Sequence, residues 1–219
     1  MIKLRRLFLL TFIAELLIFA IVSALPIKDP ALYTSFRSQD RAIVSKPFFS
    51  MWLSIFPHNL EVASIEFIPI IGPAWFSFSM VTTSVVVAVE GTAAHISGFF
   101  IFLSLMILPH SWLELPAYAV AVSTSIYLIY YLIKRYPARK YLKLLYMYLF
   151  VVIELALAGA IESAEIILEQ SAHPFYAFYM WIPSIPIIIF LIMLYRYIDR
   201  DEYHQKKEEK PVDDIFNMQ

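Results

Sequence analysis

The chain has 219 residues, 60% hydrophobic and only 16% charged, with a formal net charge of −1 and no cysteine. Soluble domains of this length are about half apolar and about a quarter charged, so a water-soluble enzyme is excluded. The charge balance argues against nucleic acid as a partner. Without cysteine there are no disulfides, no Cys-ligated zinc and no thiol catalysis.

Taken in chain order, Lys3, Arg5 and Arg6 precede an apolar run from Leu7 to Leu25. This looks like a signal peptide, but its length and the interrupting Glu15 favour an uncleaved first span. A polar, mixed-charge loop over 26–47 follows. Hydrophobic segments then run over 48–71, 74–90, 94–109 and 111–133, punctuated by Pro57, Pro69, Pro73, Pro109 and Pro116. Proline removes a backbone donor and kinks or breaks helices. No Lys or Arg occurs from Pro47 to Ile133, nor from Leu144 to Tyr195, and apolar stretches of that length are membrane spans. A basic connector at 134–143 leads to spans at 144–168 and 175–197, and a charged tail closes the chain over 199–219.

Cytoplasmic flanks are enriched in Lys and Arg, so the N-terminus, the connector and the tail all read as cytoplasmic. An odd number of the four segments between 48 and 133 must therefore cross. The segment 48–71 is the one set aside, because it carries His58, Asn59, Glu61 and Glu66 between two prolines. The expected fold is all-α: a polytopic helical membrane bundle over 1–198, with about six transmembrane helices and one re-entrant or interfacial broken helix. The bilayer is its first partner. Other membrane proteins or further copies of the chain are the second.

The apolar segments contain Glu15, Glu61, Glu66, Glu90, Glu114, Glu154, Glu162, Glu165 and Glu169, and no base is read at comparable depth. A charge at a helix centre costs about 2.5–3.5 kcal/mol on insertion scales, so these acids must find hydrogen bonds, water, a proton or a cation. At 100° per residue, Glu154, Glu162, Glu165 and Glu169 fall within roughly 80° of one another. They form an acidic stripe facing the bundle interior or, at Glu165 and Glu169, the interface, with an ion or proton path along it as the alternative. Two Pro-His elements add a candidate polar or cation site. His110 and Glu114 stand four residues apart, on one face of a helix, and His58, Asn59 and Glu61 follow Pro57. Corresponding interrupted segments can mark a transporter's binding site. If the elements meet, His58, Glu61, His110 and Glu114 could form a structural network, a proton or cation site, or a divalent-metal site. No cofactor motif is present: HExxH, Gly-x-Ser-x-Gly and the P-loop are all missing.

The run Pro109-His110-Ser111-Trp112-Leu113-Glu114-Leu115-Pro116-Ala117 resembles the Pro-His-Gly-x-x-Glu-x-x-Ala signature of the stage II sporulation protein M family. His58-Asn59-Leu60-Glu61-Val62-Ala63 resembles that family's Asn-Asn-x-x-x-Ala element, and the Glu-bearing sixth span is similar too. His58 stands where the first Asn is expected, Ser111 where the Gly is, and Thr82-Thr83 near an expected Asn-Gly. The resemblance implies a multi-span, all-helical membrane protein. The family's best-known members scaffold peptidoglycan-degrading partners during spore engulfment. Two readings follow: a non-enzymatic membrane scaffold or complex subunit, and a cation- or proton-coupled transporter using intramembrane Glu and His. An intramembrane metalloenzyme is a third.

Overall fold

A computed structural model describes residues 3–137, 140–171 and 173–200. The described chain is helical, with no strand: α1 (Leu4–Ser23), α2 (Pro30–Val44), α3 (Phe48–Glu66), α4 (Ile71–Ala93), α5 (Gly98–Ile107), α6 (Ser111–Ile133), α7 (Tyr141–Glu169), a 3-10 turn (Pro174–Met180) and α8 (Trp181–Ile198). The tail expected over 199–219 lies almost wholly outside the described residues. Five helices are long and apolar enough to cross a membrane: α1, α4, α6, α7 and the stretch Phe175–Ile198 that contains α8.

The central element is α6, packed by α1, α3, α4 and α7. Its run Ala117-Tyr118-Ala119-Val120-Ala121-Val122-Ser123-Thr124-Ser125 is buried on every side. In lipid no hydrophobic force draws helices together, so close backbone approach through small residues and interhelical hydrogen bonds supplies the association. Both are present. The Thr11 and Ser123 hydroxyls lie 2.8 Å apart between α1 and α6, and the Thr11 hydroxyl also reaches Ala119 O at 3.3 Å. The outer surface is the reverse, a continuous coat of exposed Leu, Ile and Phe on α1, α7 and α8.

Two further apolar helices fall outside that set: α3, which covers the segment set aside from the sequence, and the short α5. Ten residues span only about 15 Å as a helix, half of an apolar core about 30 Å thick. The 48–71 segment folds into α3, which is not broken as expected but runs continuously through Pro57 and lies along the middle of α7. The Trp52 indole donates to Ala156 O at 2.9 Å, and the Ser64 and Tyr148 hydroxyls pair at 3.0 Å. Prolines are tolerated inside membrane helices when neighbours satisfy the freed backbone groups. Pro57, Pro116 and Pro186 all sit within continuous helices.

The turn from α3 to α4 is locked tightly. Ile70 has φ 73°, a left-handed conformation costly for a β-branched residue. It is held by Gly72 N donating to Ile68 O at 2.7 Å and by the Ser125 hydroxyl donating to the same oxygen at 2.9 Å. A Cβ on Gly72 would stand 1.9 Å from Glu66 O, so only glycine allows this closure. A second close approach joins the ends of α1, α4 and α5: a Cβ on Gly98 would meet Ser23 O at 2.4 Å and Val87 O at 2.6 Å.

The loop expected over 26–47 contains α2. Asp29 caps it by accepting from Leu32 N at 2.9 Å, and Pro30 opens its first turn. This helix folds back against α4, where Arg37 pairs with Glu90 at 2.7 Å. Glu90 therefore has a cationic partner after all, one brought from outside its own span.

Candidate functional site

Helix α7 delivers the acidic stripe. Glu154 and Glu165 are buried, Glu162 is half-buried and Glu169 is exposed, so the interior-facing stripe fades into the surface at the end of the helix. Glu165 meets His110. The His110 backbone N–H donates to one Glu165 carboxyl oxygen at 3.3 Å, and its ring Nδ1 hydrogen-bonds the other. The second ring nitrogen lies 3.3 Å from the Ser111 hydroxyl, which donates to Leu105 O at 2.8 Å. A Glu–His–Ser order is also that of a hydrolase triad. Here the serine hydroxyl is committed to a backbone carbonyl, and all three side chains are buried. The arrangement works as a clasp that closes the break between α5 and α6 onto α7.

One turn into α6, Glu114 accepts from the Tyr118 hydroxyl at 2.9 Å. Tyr118 lies within electrostatic reach of Glu66 and Glu162 as well. Glu66, at the end of α3 and fully buried, accepts from the Ser79 hydroxyl at 3.2 Å. Its second oxygen has no hydrogen-bond partner among the described residues. Glu15, on α1, is 0% exposed, and neither of its carboxyl oxygens has a partner there. It lies within electrostatic reach of Glu66 and Glu114. Five helices thus bring a polar core to the bundle centre: Glu15 from α1, Glu66 from α3, Ser79 from α4, Glu114 and Tyr118 from α6, and Glu162 and Glu165 from α7.

This core is not the constellation expected from the two Pro-His elements. The interior face of α3 carries Met51, Ile55, Asn59, Ala63 and Glu66, the i, i+4 stripe of a 3.6-residue helix. His58 and Glu61 fall off that stripe and are exposed; of the first element only Asn59 is buried. His110 and Glu114 do not pair either. His110 is the residue before the first turn of α6, and its ring faces α7. Among the described residues, no group of three or more His, Asp or Glu is placed to hold a metal ion.

Glu15, Glu66, Ser79 and Tyr118 are the members that motif reasoning left out. Three of them were visible in outline: Glu15 and Glu66 stand among the acids of the apolar segments, and Tyr118 follows Glu114 by four residues. Nothing local marks Ser79.

A family model described as stage II sporulation protein M matches residues 7–164, which take in α1 through most of α7 and every member of the polar core except Glu165. No curated protein and no solved structure gives a significant match. The Pro-His clasp and the matched span agree, and the chain belongs to the stage II sporulation protein M family.

Proposed function

We propose that the protein is a non-enzymatic membrane scaffold, or a subunit of a membrane complex, that presents α2 to a partner. The observation that carries this reading is the placement of α2: an amphipathic helix outside the apolar spans, fixed to the bundle rather than free. Arg37 ties it to Glu90, and the Gln170 side-chain amide donates to Val44 O at 3.0 Å. Asp40 is taken up by Arg37 at 3.8 Å, while Gln39 and Arg41 are exposed on the helix. By the positive-inside bias the Arg5–Lys143 end reads as cytoplasmic, which puts α2 on the opposite side even though Lys28, Arg37, Arg41 and Lys46 lie there. Family membership supports the same role, since the resemblance implies scaffolding. The test is site-specific photocrosslinking in native membranes from Gln39 and Arg41, with lipid-facing Ile189 as control. A defined product from α2 alone is expected. Monomer only, or the same products from Ile189, would refute the reading.

A second reading, a proton- or cation-coupled transporter, is favoured by one observation: the unpartnered carboxyl oxygens of Glu15 and Glu66 at the centre of the bundle. Buried ionisable groups in spans commonly mark ion or proton routes. Reconstituted vesicles should then show flux that Glu15→Gln and Glu162→Gln abolish. No wild-type flux across protons and the common alkali cations would end it.

A further inference from the structure

Helix α8 is fastened to the bundle at its two ends, and between them it buries Ser184 and Leu191 while leaving a cleft beside α1. At one end the Trp181 indole donates to Ile107 O at 2.9 Å. At the other, Asp199 takes Lys143 at 2.7 Å and Arg5 at 3.0 Å, and the Tyr195 ring packs on Phe8 and Phe150. Between these fastenings a cleft of about 490 Å³ runs along α1, α6, α7 and α8, within the range of small-molecule sites. Trp112 and Trp181 stand toward one end of its lining and Arg5 and Arg196 toward the other, with Val120 in the wall. The lining reaches Leu9 and Ile192, both about half exposed, so the cleft opens sideways into lipid.

From Trp181 to Arg196 is about 22 Å along the helix, longer than one leaflet's share of an apolar core about 30 Å thick. The shape suits an extended acyl chain. The charge at the mouth selects the head. Arg5 and Lys143 share the single carboxylate of Asp199, and the exposed Arg196 adds a third cation. This end is therefore net positive, with Lys3 and Arg6 close by in the sequence. Basic pockets between membrane helices hold anionic headgroups. We infer that this cleft is a binding site for one anionic glycerophospholipid, its phosphate between Arg5 and Arg196 and one acyl chain laid between α1 and α8.

Glu154 also lines the cleft, with a buried carboxyl oxygen that has no partner among the described residues. It lies about 16 Å along α7 from Lys143, beside the chain rather than the head, so it does not select the lipid.

The test uses the full chain in nanodiscs of equal phosphatidylglycerol and phosphatidylcholine, released into mild detergent, with retained lipids counted by native mass spectrometry. Wild type should hold one phosphatidylglycerol in preference to phosphatidylcholine. Arg196→Gln, at an exposed side chain, should weaken that preference about fivefold without changing the melting temperature. Val120→Trp, which fills the cleft, should abolish retention of either lipid, and Glu154→Gln should change nothing. Equal retention of the two lipids by wild type, or an Arg196→Gln protein that keeps full preference, would overturn the inference. So would loss of the lipid in Glu154→Gln with Arg196→Gln unaffected, which would assign the cleft to a ligand recognised at its middle. If Val120→Trp does not fold, Arg196→Gln still decides.

Discussion

Replacing Glu15 by leucine should make the protein more stable. The side chain is fully buried near the middle of α1, and both carboxyl oxygens lack partners among the described residues. Two magnitudes apply to two measurements. For insertion of α1 alone, a charged residue at a helix centre costs about 2.5–3.5 kcal/mol and leucine returns a few tenths. Glu15→Leu should therefore improve translocon insertion by about 3 kcal/mol. For folding of the inserted helices the gain is smaller, because helices separated in the membrane also find partners for a polar side chain. Measured interhelical hydrogen bonds average about 0.6 kcal/mol, with a maximum near 1.7. Folding that strips such partners from Glu15 without replacing them costs a similar amount, so the leucine variant should gain about 0.6–1.7 kcal/mol. Steric trapping in bicelles reads the second quantity and a glycosylation insertion assay the first. A Glu15→Leu protein destabilised by more than about 1 kcal/mol would show that water or an ion satisfies those oxygens, and the premise of an unpartnered acid would fall. If the carboxyl serves a function, that function is lost while stability rises, the usual trade-off at such sites.

Other outcomes follow from the same geometry. Gly72→Ala drives a Cβ to 1.9 Å from the Glu66 carbonyl oxygen and 2.7 Å from its carbon; these are backbone atoms with no rotamer to yield. It should cost at least the 1–3 kcal/mol typical of overpacking, and an unchanged unfolding midpoint would refute the closure described at Ile70. His110→Ala leaves Glu165 buried without its partner, which costs about 3–5 kcal/mol in soluble proteins and less in a membrane. A double-mutant cycle with Glu165→Gln should return a coupling of at least about 1 kcal/mol, and additive effects would deny the clasp. Arg37→Gln removes a half-exposed pair worth at most about 1 kcal/mol, so the melting temperature should barely move. Proteolysis within 26–47 should accelerate, and unchanged cleavage would mean that α2 is held by packing alone.

The sequence made the membrane class plain, because long runs without Lys or Arg leave few alternatives, and the inward stripe of α7 followed from helical periodicity. Where the reading failed, the missing information was rotational or long-range. The phase of α3 cannot be fixed from a mixed sequence: with Asn59, Ala63 and Glu66 facing in, His58 and Glu61 must face out, and the opposite choice would have read equally well. The Arg37–Glu90 pair joins residues in two helices separated by all of α3, and no local pattern signals it. Proline was over-read as punctuation, since Pro57 and Pro116 lie inside continuous helices.

The polar core and the clasp explain each other. Small residues let α6 sit within reach of four helices, and such a packing leaves no room for lysine or arginine side chains at its centre. A glutamate placed there can be met only by groups that are short or already in the interior. Ser79, Tyr118 and the Pro109–His110 break are such groups, and the break supplies a backbone N–H together with an imidazole at one point. A continuous helix through residue 110 would have spent that N–H on its own ladder, leaving Glu165 a single ring nitrogen. The interruption before α6 is therefore what allows a fully buried carboxyl on α7, and it fixes α5 as a half-length element by taking Leu105 O for Ser111. No break supplies a backbone N–H to Glu15, and the turn that follows Glu66 directs Gly72 N and the Ser125 hydroxyl to Ile68 O instead, so both Glu15 oxygens and one of Glu66 stay without a partner among the described residues.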